Sequence, residues 1–207
     1  MTGRADPKDE ILKVSASLFS LKGFAGTTMA EIADTVGVRG PSMYYHFRDK
    51  AEILRALAAI ILDEAITGSH KWRREGGVTV PHRLYRLIYD LVYRLRVSPY
   101  ELNCMFDPSF HSDEFKDVNV KLQEWQRDLR KLVELGVKEG SFWDQDSKLA
   151  TLAIRGLIES AIRQLGGHNK LSPQESAAYV AEFAIRGLLS GEVSLDSVLA
   201  EVNEEQS

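Results

Sequence analysis

Eight consecutive residues, Gly40-Pro-Ser-Met-Tyr-Tyr-His-Phe47, gather two phenols, an imidazole and a hydroxyl into one short run. Arg39 precedes the run, and Arg48 and Lys50 follow it. O–H and N–H donors of this kind bind anionic oxygens, while ring and proline carbons make apolar contacts with thymine methyls. On a helix the run divides by face. Met43 and Phe47 share the side available to a core. Pro41, Ser42 and Tyr45 point the other way, with Tyr44 and His46 on the flanks. The predicted chemistry is recognition of a polyanion that carries base edges. Arg39 would reach a guanine and Lys50 a phosphate. Thr27 and Thr28 would hold another phosphate at the start of the preceding helix, where free backbone N–H groups favour an anion.

Bond-making chemistry lacks a comparable signal. The sequence contains no GxGxxG or GxxxxGK[ST] phosphate loop and no GxSxG nucleophile motif. His46, His70, His82, His111 and His168 include no HxxxH pair. Cys104, Asp107 and His111 have no diagnostic metal-ligand spacing. The expectation is therefore no enzyme, no metal and no cofactor. The lone Cys104 excludes an internal disulfide and suits a reducing compartment. Met1–Glu10 is polar and does not read as a signal peptide. The most apolar run, Ala56–Leu62, is too short to span a bilayer. A cytoplasmic, soluble protein without a membrane partner is expected.

The 207 residues carry a net charge of −4. Seven Lys/Arg and six Asp/Glu lie within the first fifty, which leaves that part mildly basic on an acidic chain. Charge alone does not suggest nucleic acid.

The elements that must position the aromatic run read as helices throughout. Asp6-Pro7 starts a helix that Gly23 stops. Thr28-Met-Ala-Glu31 has capping-box spacing, and Met29, Ile32, Ala33 and Val36 form a helical stripe. Gly37 supplies a tight turn into the helix near 41–47, so the pair reads as a helix-turn-helix closed over Ile11, Phe19 and Ile32. Asp49-Lys-Ala-Glu52 opens a long helix through about Ile66, ended near Gly68, with a loop over 69–80. Helical patterns follow at 81–97, 113–139, 146–166, 173–190 and 195–203, with a short one begun by Ser98-Pro99. Asn203–Ser207 reads as a frayed tail. Strand and hairpin patterns are absent, so an all-α fold is predicted.

The stretch "LFSLKGF" followed by "AGTTMAEIADTVGVRGPSMYYHFRDKAEIL" resembles the DNA-binding module of the TetR (tetracycline repressor-like) family of bacterial regulators. Gly23-Phe24, Thr27-Thr28, Ile32-Ala33, Gly37-Val38, Ser42, Tyr44-Tyr45, Phe47 and Lys50 carry the resemblance. It implies a three-helix DNA-binding domain over residues 1–50. It also implies a helical effector-binding and dimerisation domain over 51–207. Gly40 stands where some relatives carry a longer polar side chain, which gives Arg39 more weight. The implied function is a transcriptional repressor released from a double-stranded, palindromic operator by a small-molecule effector. An activator, an effector-independent dimeric DNA-binding protein and a helical enzyme on the same fold are the alternatives.

Beyond residue 60 the residues themselves suggest where an effector and a second copy bind. Tyr85, Tyr89 and Tyr93 form one stripe of their helix, opposite a leucine-rich stripe. Cys104, Met105, Phe106 and Phe110 are large, adaptable side chains at an irregular point, as a pocket mouth requires. Trp125 and Leu129 would form the opposite wall. Arg155, Glu159 and Arg163 read either as an i, i+4 ion-pair ladder or as the anchor of an anionic effector such as an acyl-CoA thioester. Ala177, Val180, Ala181, Ala184 and Gly187-Leu188 form a small-residue stripe, matched by Ala150, Ala153, Gly156 and Leu157. These stripes place the homodimer interface on the helices near 146–166 and 173–190.

Overall fold

The computed structural model describes residues 6–74, 76–101, 104, 106–165 and 171–204. Met105, His168 and the end of the predicted tail lie outside the described residues. Nine α-helices occur among those described: α1 Pro7–Lys22, α2 Met29–Val36, α3 Gly40–His46, α4 Lys50–Arg74, α5 Val80–Val97, α6 Lys116–Lys138, α7 Ser147–Leu165, α8 Pro173–Arg186 and α9 Leu195–Glu204. Two 3-10 turns, Pro108–His111 and Asp113–Phe115, precede α6. The all-α prediction holds. Strand-like pairing among the described residues is confined to an isolated antiparallel bridge between Phe142 and Leu189.

The helix ends follow local chemistry. The Asp6 carboxylate accepts from the Lys8 N–H, and Gly23 closes α1 at φ 76°. The Thr28 hydroxyl caps α2 by accepting from the Glu31 N–H. The Glu31 carboxylate pairs with Lys22. Gly37, left-handed at φ 78°, donates its N–H to the Ala33 and Asp34 carbonyls and turns the chain toward α3. Ser172 and Glu175 complete a reciprocal capping box on α8.

Two elements differ from expectation. Helix α4 continues through Gly68 to Arg74. Past the glycine it buries Ser69 and Trp72. The Ser69 hydroxyl donates to Asp128 at 2.9 Å and the Trp72 indole N–H to Asp90 at 2.6 Å. These contacts outweigh the roughly 1 kcal/mol that a helical glycine costs. No helix begins at residues 98–101, and Cys104 and Phe106 have 3-10 geometry.

Contacts divide the chain into two compact units. One holds residues up to Leu62 together with Ser98–Val120. The other holds Asp63–Val97 and the chain from Lys121 onward. The N-terminal unit therefore extends beyond residue 50 and includes an internal segment from the middle of the chain. Its core contains Ile11, Phe19, Ile32, Met43, Phe47, Ile53 and Leu57.

In the second unit α5 packs against α7, α8 and α9. The α5 residues Leu84, Leu87, Ile88 and Val92 are buried, as are Ala177, Val180, Ala181, Ala184 and Leu188. The small-residue stripe of α8 thus lines this unit's own core. That corrects its assignment to the dimer interface, because small side chains let α8 approach α5 closely. Gly136 serves another close approach, since a Cβ there would lie 2.1 Å from the Phe142 ring.

Candidate nucleic-acid interface

Helix α3 has only seven residues, too few to hold a helix in water without tertiary contacts. Met43, fully buried, and Phe47, 2% exposed, fasten it to the unit's core. The opposite face is left to solvent. Tyr45 is 85% and Tyr44 59% exposed. Thr28, Arg39, Gly40, Pro41 and Ser42 are also exposed, with His46 half-buried. The Tyr45 and His46 rings meet edge to face at 5.2 Å. Thr28, Arg39, Gly40, Pro41, Ser42, Tyr44, Tyr45 and His46 thus have the accessibility a groove-reading surface needs, on a helix whose other side is fixed.

Thr27 and Lys50 have different surroundings. Thr27 is 1% exposed. Its hydroxyl donates at 3.0 Å to the Gly23 carbonyl, inside the α1–α2 turn. The Lys50 ammonium donates to the carbonyls of Phe24 at 2.7 Å and Thr27 at 2.9 Å, with Ala25 at 3.4 Å. It also lies 4.4 Å from the Phe24 ring centroid. This cation completes the turn between α1 and α2 from the start of α4. A lysine at the beginning of a helix reads as a phosphate ligand in sequence. Nothing local reveals that three carbonyls converge on it.

The internal segment of this unit went unrecognised in the sequence. The Asp107 carboxylate accepts the Phe24 N–H at 2.9 Å. The Tyr100 hydroxyl donates to Asp9 at 2.6 Å, and the Ser20 hydroxyl to the Glu101 carbonyl at 3.0 Å. Burial and the Asp9 hydrogen bond push the Tyr100 phenol up to about 12. The rings of Phe19, Phe24, Phe115 and Phe110 form a chain with centroids 5.2–5.5 Å apart. Asp107-Pro108 has the same Asp-Pro form as the Asp6-Pro7 helix start, but its long-range partner is invisible locally. Asp107→Ala is expected to lower the stability of this unit by about 1–2 kcal/mol, since a part-buried N–H loses its acceptor. Thermal and urea denaturation measure that loss, which Asp107→Asn should largely avoid.

The ten expected effector-binding residues divide between the units. Cys104 and Phe110 are buried, and Phe106 half-buried, in the N-terminal unit. Phe110 packs edge to face on Phe115. Burial pushes the Cys104 thiol up to about 12, so it stays protonated. Tyr89, Tyr93, Trp125, Leu129, Arg155, Glu159 and Arg163 lie in the second unit. Tyr85, Tyr89 and Tyr93 stack as a ladder with centroids 6.0 Å apart. Burial pushes the Tyr85 phenol to about 12 and raises Tyr89 in the same direction. Trp125 and Leu129 are buried on α6. Glu159 pairs with Arg163 at 3.0 Å, which realises half of the predicted ladder and leaves Arg155 out of it.

A short helix pinned by two apolar residues, entered through a glycine turn and facing solvent with hydroxyls and rings, defines the helix-turn-helix class of DNA-binding regulators. Residues 11–57 match the model of bacterial regulatory proteins of the tetR family. The match covers the helix-turn-helix module, from α1 into the start of α4. The HTH-type transcriptional repressor KstR2 of Rhodococcus jostii is 25% identical over 199 residues, covering 91% of this chain and 94% of that repressor. The crystal structure of Mycobacterium smegmatis AmtR superposes with a TM-score of 0.78 at 27% identity, over 99% of this chain and 97% of that one. AibR, solved with isovaleryl coenzyme A and operator DNA, shares the fold with a TM-score of 0.68 at 15% identity, over 86% of this chain and 97% of its own. No helix among the described residues is long and apolar enough to cross a membrane.

Proposed function

We propose that the protein is a cytoplasmic homodimeric transcriptional repressor, without catalytic activity, whose two α3 helices read successive major grooves of a palindromic operator. The observation that carries the reading is the exposure of Tyr44 and Tyr45 on a helix locked from behind by Met43 and Phe47. A solvated, donor-bearing face on a helix fixed from behind positions hydrogen bonds to phosphates and ring contacts to bases with little backbone ordering at the moment of binding. Tyr45→Ala is expected to weaken operator binding by about 1–3 kcal/mol, about 5- to 150-fold, with the melting temperature unchanged. The operator is first obtained by selection from random duplexes, and a mobility-shift titration then reads the affinity. Retention equal to wild type would remove α3 from the interface.

Release by a small hydrophobic or amphipathic effector completes the proposal. An acyl-CoA-like anion is the favoured class, supported by the isovaleryl coenzyme A complex of a protein with this fold. The effector would act by preferring one half-site separation over another. A coupling of roughly 1–3 kcal/mol corresponds to a 5- to 150-fold loss of operator affinity.

A further inference from the structure

The second unit carries a polar groove that the tyrosine ladder and the buried core do not explain. Helices α6 and α7 line it with Gln123, Gln126, Arg127, Arg130, Thr151 and Arg155, together with Lys148 and Leu152, around about 500 Å³. That volume falls within the range of small-molecule sites, and is small for a docked helix or peptide.

Charge is distributed unevenly along the groove. At one end Arg130 pairs with Glu134 at 2.8 Å and donates to the Ser147 hydroxyl at 3.2 Å. The Asp146 carboxylate caps α7 there, accepting the Lys148 and Leu149 N–H groups. Those N–H groups, and then Lys148 and Arg130, hold its carboxyl below the usual range. At the other end stand Arg127 on α6 and Arg155 on α7. Neither has a carboxylate within ion-pair distance among the described residues. Surface cations elsewhere on this acidic chain are commonly paired: Lys13 with Asp9, Lys22 with Glu31, Lys121 with Asp63, Arg94 with Glu64. Glu159, one turn from Arg155, is drawn to Arg163 instead. Two guanidiniums facing one groove repel each other and gain only from a shared anion.

We propose that this groove binds a small molecule carrying adjacent phosphoryl groups, of the nucleoside diphosphate class, with Arg127 and Arg155 clamping the diphosphate from the two helices. Each guanidinium presents a planar fork that matches two phosphoryl oxygens, and two forks offer more donors than one carboxylate can accept. The Gln123 and Gln126 amides supply neutral donors and acceptors for the sugar or base, and Leu152 an apolar wall. This deepens the effector reading by naming the chemistry of one end of a ligand, and it rests on that reading only for its regulatory meaning.

Isothermal titration of the full-length protein with inorganic diphosphate and with ADP tests the proposal. Both are expected to bind in low salt, ADP more tightly. Arg127→Ala and Arg155→Ala should each weaken binding by about tenfold or more, and Lys138→Ala, at the far end of α6, should leave it unchanged. Absence of diphosphate binding, or binding indifferent to both arginine substitutions, overturns the proposal. So does binding of an oligoglutamate peptide in place of diphosphate, which would make the groove a protein-docking surface. Operator retention, measured in parallel without ligand, keeps failure of this site distinct from failure of the DNA-binding reading.

Discussion

Lys50→Ala is expected to unfold the DNA-binding unit more readily, and to reduce operator binding only as a consequence. The ammonium satisfies carbonyls of Phe24 and Thr27 at 2.7 and 2.9 Å and lies over the Phe24 ring. Hydrogen bonds to a charged donor contribute about 1.5–3 kcal/mol each, and loss of the donor leaves part-buried carbonyls unmet. A partly exposed cation over a ring adds about 0.5–1 kcal/mol. Water reaching the vacated space offsets some of this, so the expected loss is about 2–4 kcal/mol. The discriminating measurement is the salt dependence of operator affinity. A phosphate ligand removed would make the slope of log affinity against log salt shallower by about one. A turn brace removed leaves the slope unchanged, lowers the melting temperature of this unit, and lowers affinity in proportion to the unfolded fraction. A shallower slope with unchanged melting would return Lys50 to the DNA surface.

The contrast between Lys50 and Tyr45 shows which parts of the site were legible in the sequence. Side-chain direction on a short helix follows from a 100° step, so Met43 and Phe47 inward and Tyr45 outward could be read directly. The helix ends at Asp6, Gly23, Thr28, Gly37 and Ser172 were legible for the same reason, because capping is chemistry within three or four residues. Partners far apart in sequence were not. The Asp107 acceptor for Phe24, the indole bond from Trp72 that carries α4 beyond Gly68, and the carbonyls that hold Lys50 each join segments that no local pattern relates. The same blindness leaves Cys104 and Phe110 undecided in the sequence, since an irregular apolar segment looks alike whether it rims a cavity or packs on a neighbouring helix. Small residues on α8 posed an equivalent ambiguity. Close approach of two helices explains alanines equally well within one chain or between two.

That ambiguity decides where a second copy would bind. With Ala177, Ala181 and Ala184 buried, the apolar surface left to solvent near α7 and α8 is Trp143, Leu149, Leu152, Tyr179 and Phe183, each at least half exposed. The Tyr179 and Phe183 rings stack at 6.4 Å, and Trp143, Leu149 and Phe183 line one shallow concavity. Isolated apolar residues on a surface need no explanation, but a cluster of aromatics and leucines on two adjacent helices is the composition of an interface core. Phe183→Asp is therefore expected to raise the dimer dissociation constant by a hundredfold or more, about 3 kcal/mol or above, by placing an unpaired charge among desolvated rings. Sedimentation velocity should show a monomer at micromolar concentration with unchanged helicity. Operator affinity should fall toward that of a single half-site, since the second contact no longer benefits from tethering. Ala181→Leu provides the opposite signature. Overpacking the α5–α8 contact should cost about 1–3 kcal/mol of stability while association persists in the folded fraction. A Phe183→Asp protein that stays dimeric, or an Ala181→Leu protein that folds normally and dissociates, would move the interface back to the small-residue face.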